Sequence, residues 1–396
     1  MAEIFHALAL NLHQPEGNLE ALWEQNQPEA IEILQALHRL TQALASYDDR
    51  ARVHVSLSGT LLDTLASEDF QPLIAPHLDC HGFLRAIQNR RIFEILGTAY
   101  YHPVLPIIPA SDWDDHLARW ADRARYLFGR TRFPGFWPPE MGFCMELIPH
   151  LKRLGYRYAL VDSEHVEPRT PMSAAELGYR PHIAEFGGDE LVIVVRDRAL
   201  SNAVLSGMDC SQFQDTVRER TKECSAPALV TLCANGDNGE RFRSADPHIN
   251  FWSSFYVPLL AKSEQTVPAL KATFIHDYLD RYGTHGRVYV GPGAWNTPWH
   301  DGKDFVQWTG SAGQREALTR LDQVSQAFHT ARANVASIGA ANDDTRHQLE
   351  EAHRRILRAE TSCHFFWGEA WVPRCHQDLD EACTCLERAW GTLGEG

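Results

Sequence analysis

The sequence predicts an α/β protein in which a parallel β/α barrel is followed by a smaller helical region. Short apolar runs that resemble buried strands recur between amphipathic stretches, which is the pattern of a parallel sheet with crossover helices. Seven or eight such units fit a barrel better than an open sheet of two halves. After about residue 309 only helical periodicity remains. A chain of 396 residues is long enough to hold both parts.

The barrel is predicted to occupy residues 1–308 and the helical domain residues 309–396. The candidate strands are residues 4–12, 53–57, 93–99, 133–137, 158–162, 191–196, 228–234 and 288–291. The clearest amphipathic stretches between them are residues 29–45, 112–128, 146–155 and 250–261. Three later helices are predicted from apolar residues at helical spacing. Their apolar faces are Leu318, Leu321, Val324 and Phe328; Leu349, Ala352, Ile356 and Ala359; and Leu379, Ala382, Leu386 and Trp390.

The composition narrows the class of ligand. A formal net charge of -15 disfavours nucleic acid or an anionic membrane as the main partner, because phosphate binding needs clustered cations. Eleven tryptophans supply flat apolar faces of the kind that bind sugar rings. Nine cysteines without zinc-site spacing predict reduced, buried thiols. The N-terminus shows neither a secretory signal nor an apolar run of about 20 residues, so we expect a cytoplasmic protein.

Polar or aromatic residues stand where the predicted strands end. In a parallel barrel the carboxyl ends of the strands open onto one face, so residues that follow them meet at one mouth. The residues at or just after these ends are His13, His102, Glu140, Asp162, Arg196, Asn235, Asp237 and Trp295. The sequence therefore predicts a functional site at this mouth.

Glu140 is the strongest single candidate among these residues. It follows Phe136-Trp137-Pro138-Pro139 and precedes Met141-Gly142-Phe143, so its carboxylate is set among aromatic and rigid residues. An ionised group in such surroundings is costly unless it is paired or has a function. We therefore interpret Glu140 as a catalytic carboxylate.

The ordered set of motifs resembles glycoside hydrolase family 57. The resemblance covers most of the chain and rests on the following segments: L-N-L-H-Q-P at 10–15, F-E-I-L-G at 93–97, Y-Y-H-P at 100–103, W-P-P-E at 137–140, D-R-A-L-S-N at 197–202, the loop 235–243 and the segment 305–310. The family resemblance implies an incomplete (β/α)7 barrel with a helical region, an α-glucan or maltooligosaccharide as ligand, a retaining mechanism and no cofactor or metal. It further implies that Glu140 is the nucleophile and that His13 binds sugar.

The second carboxyl group of a retaining glycosidase is where the chain departs from the family. Retention needs a second carboxyl roughly 5 Å from the nucleophile, which protonates the leaving oxygen and later activates water. The family's acid lies in a D-G-E type motif, whereas this chain reads N-G-D-N-G-E-R-F-R at residues 235–243. One alignment places Asn235 at the acid position and the other places Asn238 there. An amide cannot act as a carboxylic acid, and general acid catalysis contributes about 10² to 10⁴-fold.

Three outcomes follow from this departure. Asp237 supplies the proton in place of the missing acid, or the protein binds glucan without hydrolysing it, or it is slow except where the leaving group needs little protonation. A metal-dependent polysaccharide deacetylase is a further alternative, since the chain has 20 histidines, but it has no H-E-x-x-H motif.

The remaining candidates are sugar contacts. His102, Trp137, Arg196, Asn235, Trp295 and Trp367 are predicted to bind substrate together with His13. The wider set of candidate sugar platforms adds Trp252, Trp299, Trp308 and Trp371. In the helical region the family often has Ser-Asp before an aromatic cluster, where this chain reads Ser362-Cys363 before His364-Phe365-Phe366-Trp367.

Overall fold

A computed structural model describes residues 3–262, 269–295, 305–338 and 342–393. Its strands are β1 Ile4–Leu12, β2 Val53–Leu57, β3 Phe93–Leu96, β4 Gly135–Phe136, β5 Tyr158–Asp162, β6 Val166–Pro168, β7 His182–Phe186, β8 Asp189–Arg196, β9 Ala228–Asn235, β10 Leu270–Ala272 and β11 Val288–Val290.

The helices lie between and after these strands. They are α1 Asn18–Gln25, α2 Gln27–Leu44, α3 Gly59–Ala66, α4 Gln71–Ile74, α5 Cys80–Ala86, α6 Ala110–Phe128, α7 Leu147–Arg153, α8 Ala174–Tyr179, α9 Arg198–Leu205, α10 Cys210–Thr221, α11 Glu240–Arg243, α12 Val257–Lys262, α13 Ile275–Tyr282, α14 Val306–Thr309, α15 Ala312–Ile338, α16 Asp343–Ala359, α17 Ser362–Phe366 and α18 Val372–Leu393. Among the described helices, none is both long enough and apolar enough to cross a membrane.

Seven parallel strands form a nearly closed barrel in the order β3-β2-β1-β9-β8-β5-β4. The first and last members of this order meet through Gly97, whose N–H donates to the Gly135 carbonyl at 2.9 Å and whose carbonyl accepts from the Trp137 N–H at 2.8 Å. A side chain at Gly97 would overlap the ring of Tyr156, so glycine is required where the two strands close. The predicted parallel barrel is confirmed.

One predicted strand has a different role. The candidate strand at residues 288–291 is β11, which pairs antiparallel with β6 in a separate two-stranded sheet and is not a barrel strand. The apolar pattern of a three-residue strand does not distinguish the two arrangements, because it specifies burial and not a pairing partner. β7 is a further strand outside the ring, and it pairs antiparallel with β8.

The C-terminal helices α15, α16 and α18 pack together and against the barrel. Most residues of the predicted faces are buried, with Leu321, Ile356 and Leu379 fully buried and Leu318 partly buried. Trp390 departs from the prediction because it is 44% exposed near the end of α18. Val104 and Ala294 of the barrel belong to the same apolar cluster as these helices. The helical region is thus docked on the barrel through a shared core.

Candidate active site

A cavity of about 610 Å³ opens at the carboxyl ends of the barrel strands. The barrel contributes Asn11, His13, His102, Glu140, Asn235 and Asn238 to its wall. The helical region contributes Cys363, Phe366, Trp367 and Trp371. The cavity is therefore built from both parts of the chain, with polar groups on the barrel side and aromatic faces on the other.

Glu140 lies on the cavity wall in an unusual backbone conformation. Among non-glycine residues of the described ranges, only His102, Glu140 and Met141 have positive φ, at 58°, 54° and 53°. A left-handed conformation costs a non-glycine residue on the order of 1–3 kcal/mol and is kept where the surrounding structure imposes it. Two of the three line the cavity, and the third follows Glu140 directly. The strain in the backbone is thus concentrated at the barrel mouth.

The Glu140 carboxylate is held by three side chains. Trp295 Nε1 donates to Oε2 at 2.7 Å, Ser362 Oγ donates to Oε1 at 3.0 Å, and His102 Nε2 lies 3.6 Å from Oε1. Burial alone would raise the pKa of Glu140, but the adjacent His102 and the two hydrogen bonds outweigh it and hold the pKa below its ordinary value. The carboxylate is consequently ionised and fixed in orientation.

His13 and His102 form a stacked pair beside this carboxylate. Their rings are 3.9 Å apart and inclined by 13°. Burial and the neighbouring His102 lower the pKa of His13 well below its ordinary value, so its imidazole is neutral. Its Nε2 lies 3.5 Å from Cys363 Sγ. Burial, and then the charge of Glu140, raise the pKa of Cys363 to about 12, which keeps the thiol protonated.

Asp237 is placed behind the cavity wall. Its side chain is fully buried, and Oδ2 accepts from Gln14 Nε2 at 2.9 Å and from the His13 backbone N–H at 3.2 Å. Its Oδ1 has no hydrogen-bond partner in the part of the chain that the structure describes. Burial raises the pKa of Asp237 to about 6. Asn235 and Asn238, which occupy the acid position in the two alignments, both line the cavity.

The predicted sugar contacts Trp137, Arg196, Trp295 and Trp367 differ in their exposure to the cavity. Trp137 is fully buried and packs edge-on against Trp295, which is 9% exposed. Arg196 is buried in an ion pair with Asp162 at 2.5 Å, and its guanidinium lies over the ring of Trp295. Trp367 is 56% exposed and borders the cavity.

The wider tryptophan set divides in a similar way. Trp252 and Trp308 are buried in apolar clusters, while Trp371 borders the cavity. Trp299 lies outside the described residues. Exposed ring faces on the cavity are therefore supplied by the helical region.

Ser362 is the contact that the sequence alone did not assign to the nucleophile. It lies 222 positions from Glu140 in the chain, at the start of α17. Its backbone N–H donates to the His102 carbonyl at 3.0 Å, and the preceding Thr361 forms a bridge with Pro103. Only the docking of the helical region brings it to the barrel mouth.

One group of residues elsewhere has the spacing of metal ligands. Ligand atoms of Asp112, Asp115 and His353 lie within 4.8 Å of one another, at the contact between α6 and α16. Arg332 Nη1 lies 3.4 Å from Asp115 and already places a positive charge there. This group is separate from the cavity that holds Glu140.

Comparison with known proteins decides the family. The model of "Glycosyl hydrolase family 57" matches residues 5–290. The chain belongs to glycosyl hydrolase family 57. The chain is 29% identical over 192 residues to a 4-alpha-glucanotransferase of Thermococcus kodakarensis, covering 48% of this chain and 26% of the relative. It is 29% identical over 315 residues to an alpha-amylase of Pyrococcus furiosus, covering 75% of this chain and 43% of the relative. The matched regions thus span less than half of these curated relatives.

Solved structures of the family share the fold. A GH57-type branching enzyme from Pyrococcus horikoshii matches 98% of this chain and 88% of its own with a TM-score of 0.73 at 14% identity. The 4-alpha-glucanotransferase of Thermococcus litoralis matches 98% of this chain and 60% of its own with a TM-score of 0.67 at 19% identity. Similarity at this level of identity concerns the fold, a barrel with a C-terminal helical region.

Proposed function

We propose that this family 57 protein cleaves or transfers α-linked glucose units with retention, using Glu140 as the nucleophile. The observation that carries the proposal is the carboxylate of Glu140, which is ionised, oriented by Trp295 and Ser362, and open to the cavity. A retaining enzyme needs such a group to form a glycosyl-enzyme intermediate. The alpha-amylase and 4-alpha-glucanotransferase relatives support an α-glucan as the substrate.

Asp237 is the proposed general acid and base. Its pKa of about 6 leaves a large protonated fraction in mildly acidic solution, and its unpartnered Oδ1 is available to carry that proton. Because the side chain is buried behind the wall, the proposal requires Asp237 to turn away from Gln14 when sugar occupies the cavity. Gly236 and Gly239 flank it in the same loop.

The role of Glu140 as nucleophile is tested by measuring turnover of maltooligosaccharides and by trapping a covalent glycosyl-enzyme intermediate. Wild type is expected to form shorter or transferred products, and Glu140→Gln is expected to reduce turnover by roughly 10⁴-fold. A slowly hydrolysed fluoroglucoside should label Glu140, which is detected by mass spectrometry of peptides. Unchanged turnover in Glu140→Gln would contradict the assignment. Binding of sugar without any product in wild type would instead indicate a glucan-binding protein.

The acid is tested with two leaving groups. Asp237→Asn should slow cleavage of maltooligosaccharides by about 10² to 10⁴-fold but leave the first step with a glucosyl fluoride nearly intact, because fluoride departs without a proton. Asn235→Asp provides the matched gain-of-function variant, and it should raise hydrolysis if residue 235 is the family's acid position. Equal losses on both substrates in Asp237→Asn would mean that Asp237 has a structural role.

A further inference from the structure

A second cavity lies at the opposite end of the barrel from Glu140. Its volume is about 720 Å³, and it is bordered by residues that precede or begin β2, β3 and β4. The amino ends of the strands therefore form its walls, whereas the carboxyl ends form the candidate active site. The proposed glucan chemistry uses none of the residues in this second cavity.

Arginines dominate the lining of this cavity. Three successive connections each bring arginine to it: Arg52 before β2, Arg90 and Arg91 before β3, and Arg130 and Arg132 before β4. The carboxylates in the lining are Glu94 and Asp277. A concentration of five arginines is notable in a chain whose formal net charge is -15.

The two carboxylates are already engaged by other groups. Glu94 accepts hydrogen bonds from Tyr158 and from His276, and the His276 ring also lies 3.2 Å from Asp277. The hydrogen bond to Glu94 raises the pKa of His276, which favours its charged form. The lining therefore compensates only part of the positive charge of its five arginines.

The arginines have few acidic partners of their own. Arg52 donates to the backbone carbonyls of Asp48 and Ala51, and Arg130 donates to that of Gln88. Arg91 pairs with Asp48 at 3.2 Å on the exposed rim. Within the described ranges, Arg90 and Arg132 have no carboxylate within 4 Å. Burial and the adjacent Arg90 both lower the pKa of Arg130, as expected when like charges are crowded together.

We propose that this arginine-lined cavity binds a small organic phosphate that carries more than one negative charge. Guanidinium groups match phosphate oxygens with paired hydrogen bonds, and arginines from three connections offer more donors than a single phosphate uses. The aromatic residues of the lining are Phe93, Phe133 and Phe274, and each is less than 7% exposed. Recognition therefore depends on charge rather than on stacking of an aromatic ring. A nucleoside diphosphate and a sugar phosphate share the required chemistry.

Calorimetric titration of the full chain tests the site. Pyrophosphate is the first probe, followed by ADP and glucose 1-phosphate, with sulfate and glucose as controls. Pyrophosphate should bind with one-to-one stoichiometry and at least about tenfold more tightly than sulfate, and its affinity should fall as salt rises. If ADP or glucose 1-phosphate binds more tightly than pyrophosphate, the result supports the site and identifies which class of organic phosphate it prefers.

Variants distinguish a specific phosphate site from nonspecific electrostatic binding. The double variant Arg90→Gln/Arg132→Gln removes two exposed side chains and should weaken pyrophosphate binding by roughly tenfold or more. Arg346→Gln, which alters an exposed arginine of α16, is the matched control and should bind as wild type does. Equal, weak binding of pyrophosphate and sulfate that the double variant leaves unchanged indicates an adventitious ion only and overturns the proposal.

The result is independent of the proposed glucan activity. Binding is measured directly and is expected to be the same in Glu140→Gln, since Glu140 lies at the other end of the barrel. If neither wild type nor Glu140→Gln binds phosphate, the proposed phosphate site is rejected and the assignment of Glu140 as nucleophile is unaffected. Phosphate binding by a wild-type chain that shows no turnover would support the cavity and reject the proposed glucan activity.

Discussion

Glu140 and Asp237 have opposite environments, although both are carboxylates at one barrel mouth. Glu140 accepts two side-chain hydrogen bonds and lies near an imidazole, which lowers its pKa. Asp237 is buried with one oxygen unpartnered, which raises its pKa to about 6. Two carboxyl groups whose pKa values diverge in this way match the division between nucleophile and acid.

The pH profile of kcat/KM should reflect this divergence. The proposed mechanism needs ionised Glu140 and protonated Asp237. Activity should therefore fall on the acidic side at a pH below 4.5, the ordinary glutamate pKa, and on the alkaline side above about pH 6. Steady-state kinetics on a maltooligosaccharide across this range provide the measurement. Asp237→Asn should lack the alkaline limb, and its persistence in that variant would assign the limb to another group.

Ser362 is expected to act as a positioning residue. Ser362→Ala removes a hydrogen bond to ionised Glu140, so the acidic limb should move to higher pH while turnover declines by about tenfold. Ser362→Thr keeps the hydroxyl and should restore the limb. A decline in turnover with an unshifted limb in Ser362→Ala would indicate that the serine only supports the loop.

Burial of Asp237 also has a cost for stability. In the unfolded chain its pKa is near the ordinary 3.8, so the folded state holds the proton more tightly and stability declines as pH rises from about 4 to 6. Asp237→Asn should therefore be more stable than wild type at pH 8, by up to about 3 kcal/mol. Urea unfolding at pH 4 and pH 8 measures the difference, with the exposed Asp215→Asn as control. An equal effect at both pH values would exclude this linkage.

The sequence predicts which residues lie at the barrel mouth but not how every side chain is oriented there. His13, His102 and Glu140 follow strand ends, and barrel geometry places such residues at one mouth. The same reasoning could not show that Trp137 is buried beneath the site or that Asp237 lies behind the wall. Neither orientation is encoded in a local pattern, because each depends on packing across the barrel.

At the scale of elements, α6 is joined to the C-terminal helices by a buried polar network. Asp112 accepts from Ser325 Oγ at 2.5 Å and contacts His329 Nε2 at 2.6 Å. His116, one turn further along α6, lies 2.6 Å from Glu360 Oε2. Burial, reinforced by the charge of Asp112, raises the pKa of Glu360 well above its ordinary value. The folded state therefore favours the protonated form of Glu360 more strongly than the unfolded chain does.

Glu360→Gln should stabilise the protein at alkaline pH. Because the pKa of Glu360 is higher in the folded protein than the ordinary 4.5, wild type loses stability as pH rises from about 4.5 through the folded pKa. Glutamine keeps the shape without titrating, so urea unfolding should show Glu360→Gln to be more stable than wild type at pH 8, with a smaller difference or none near pH 4. Glu350→Gln, on the exposed face of α16, is the control. Destabilisation at pH 8 would show that Glu360 is ionised when folded.

Elements with strong periodicity were predicted well from the sequence. The candidate strands 4–12, 53–57 and 158–162 coincide with β1, β2 and β5. The candidate strand 133–137 contracts to β4, Gly135–Phe136, because the barrel closes there through backbone contacts of Gly97. Strands β6 and β10 were not predicted because three residues carry too little pattern to be recognised. β7 was not predicted because its sequence, H-I-A-E-F, is not a continuous apolar run.

At the scale of the whole molecule, one apolar cluster spans the predicted boundary at residues 308 and 309. Val104, Ala294 and Trp308 share it with the helices that follow. A chain ended after residue 308 would expose this surface and lose Ser362 and Trp367 from the cavity. We expect such a truncated chain to aggregate in size-exclusion chromatography and to bind no maltooligosaccharide. A monomeric, active truncated chain would contradict this expectation.

The left-handed backbone at residue 140 has a consequence for how the protein evolves. Glycine adopts that conformation without strain, so replacing Glu140 by glycine would remove activity while relieving the backbone. Glycine would also leave Trp295 Nε1 and Ser362 Oγ without the acceptor that the Glu140 carboxylate provides, which offsets part of the relieved strain. At residue 140 the backbone alone thus favours glycine, whereas the two hydrogen bonds and the proposed chemistry favour glutamate, and these opposing preferences set how readily evolution can replace the residue.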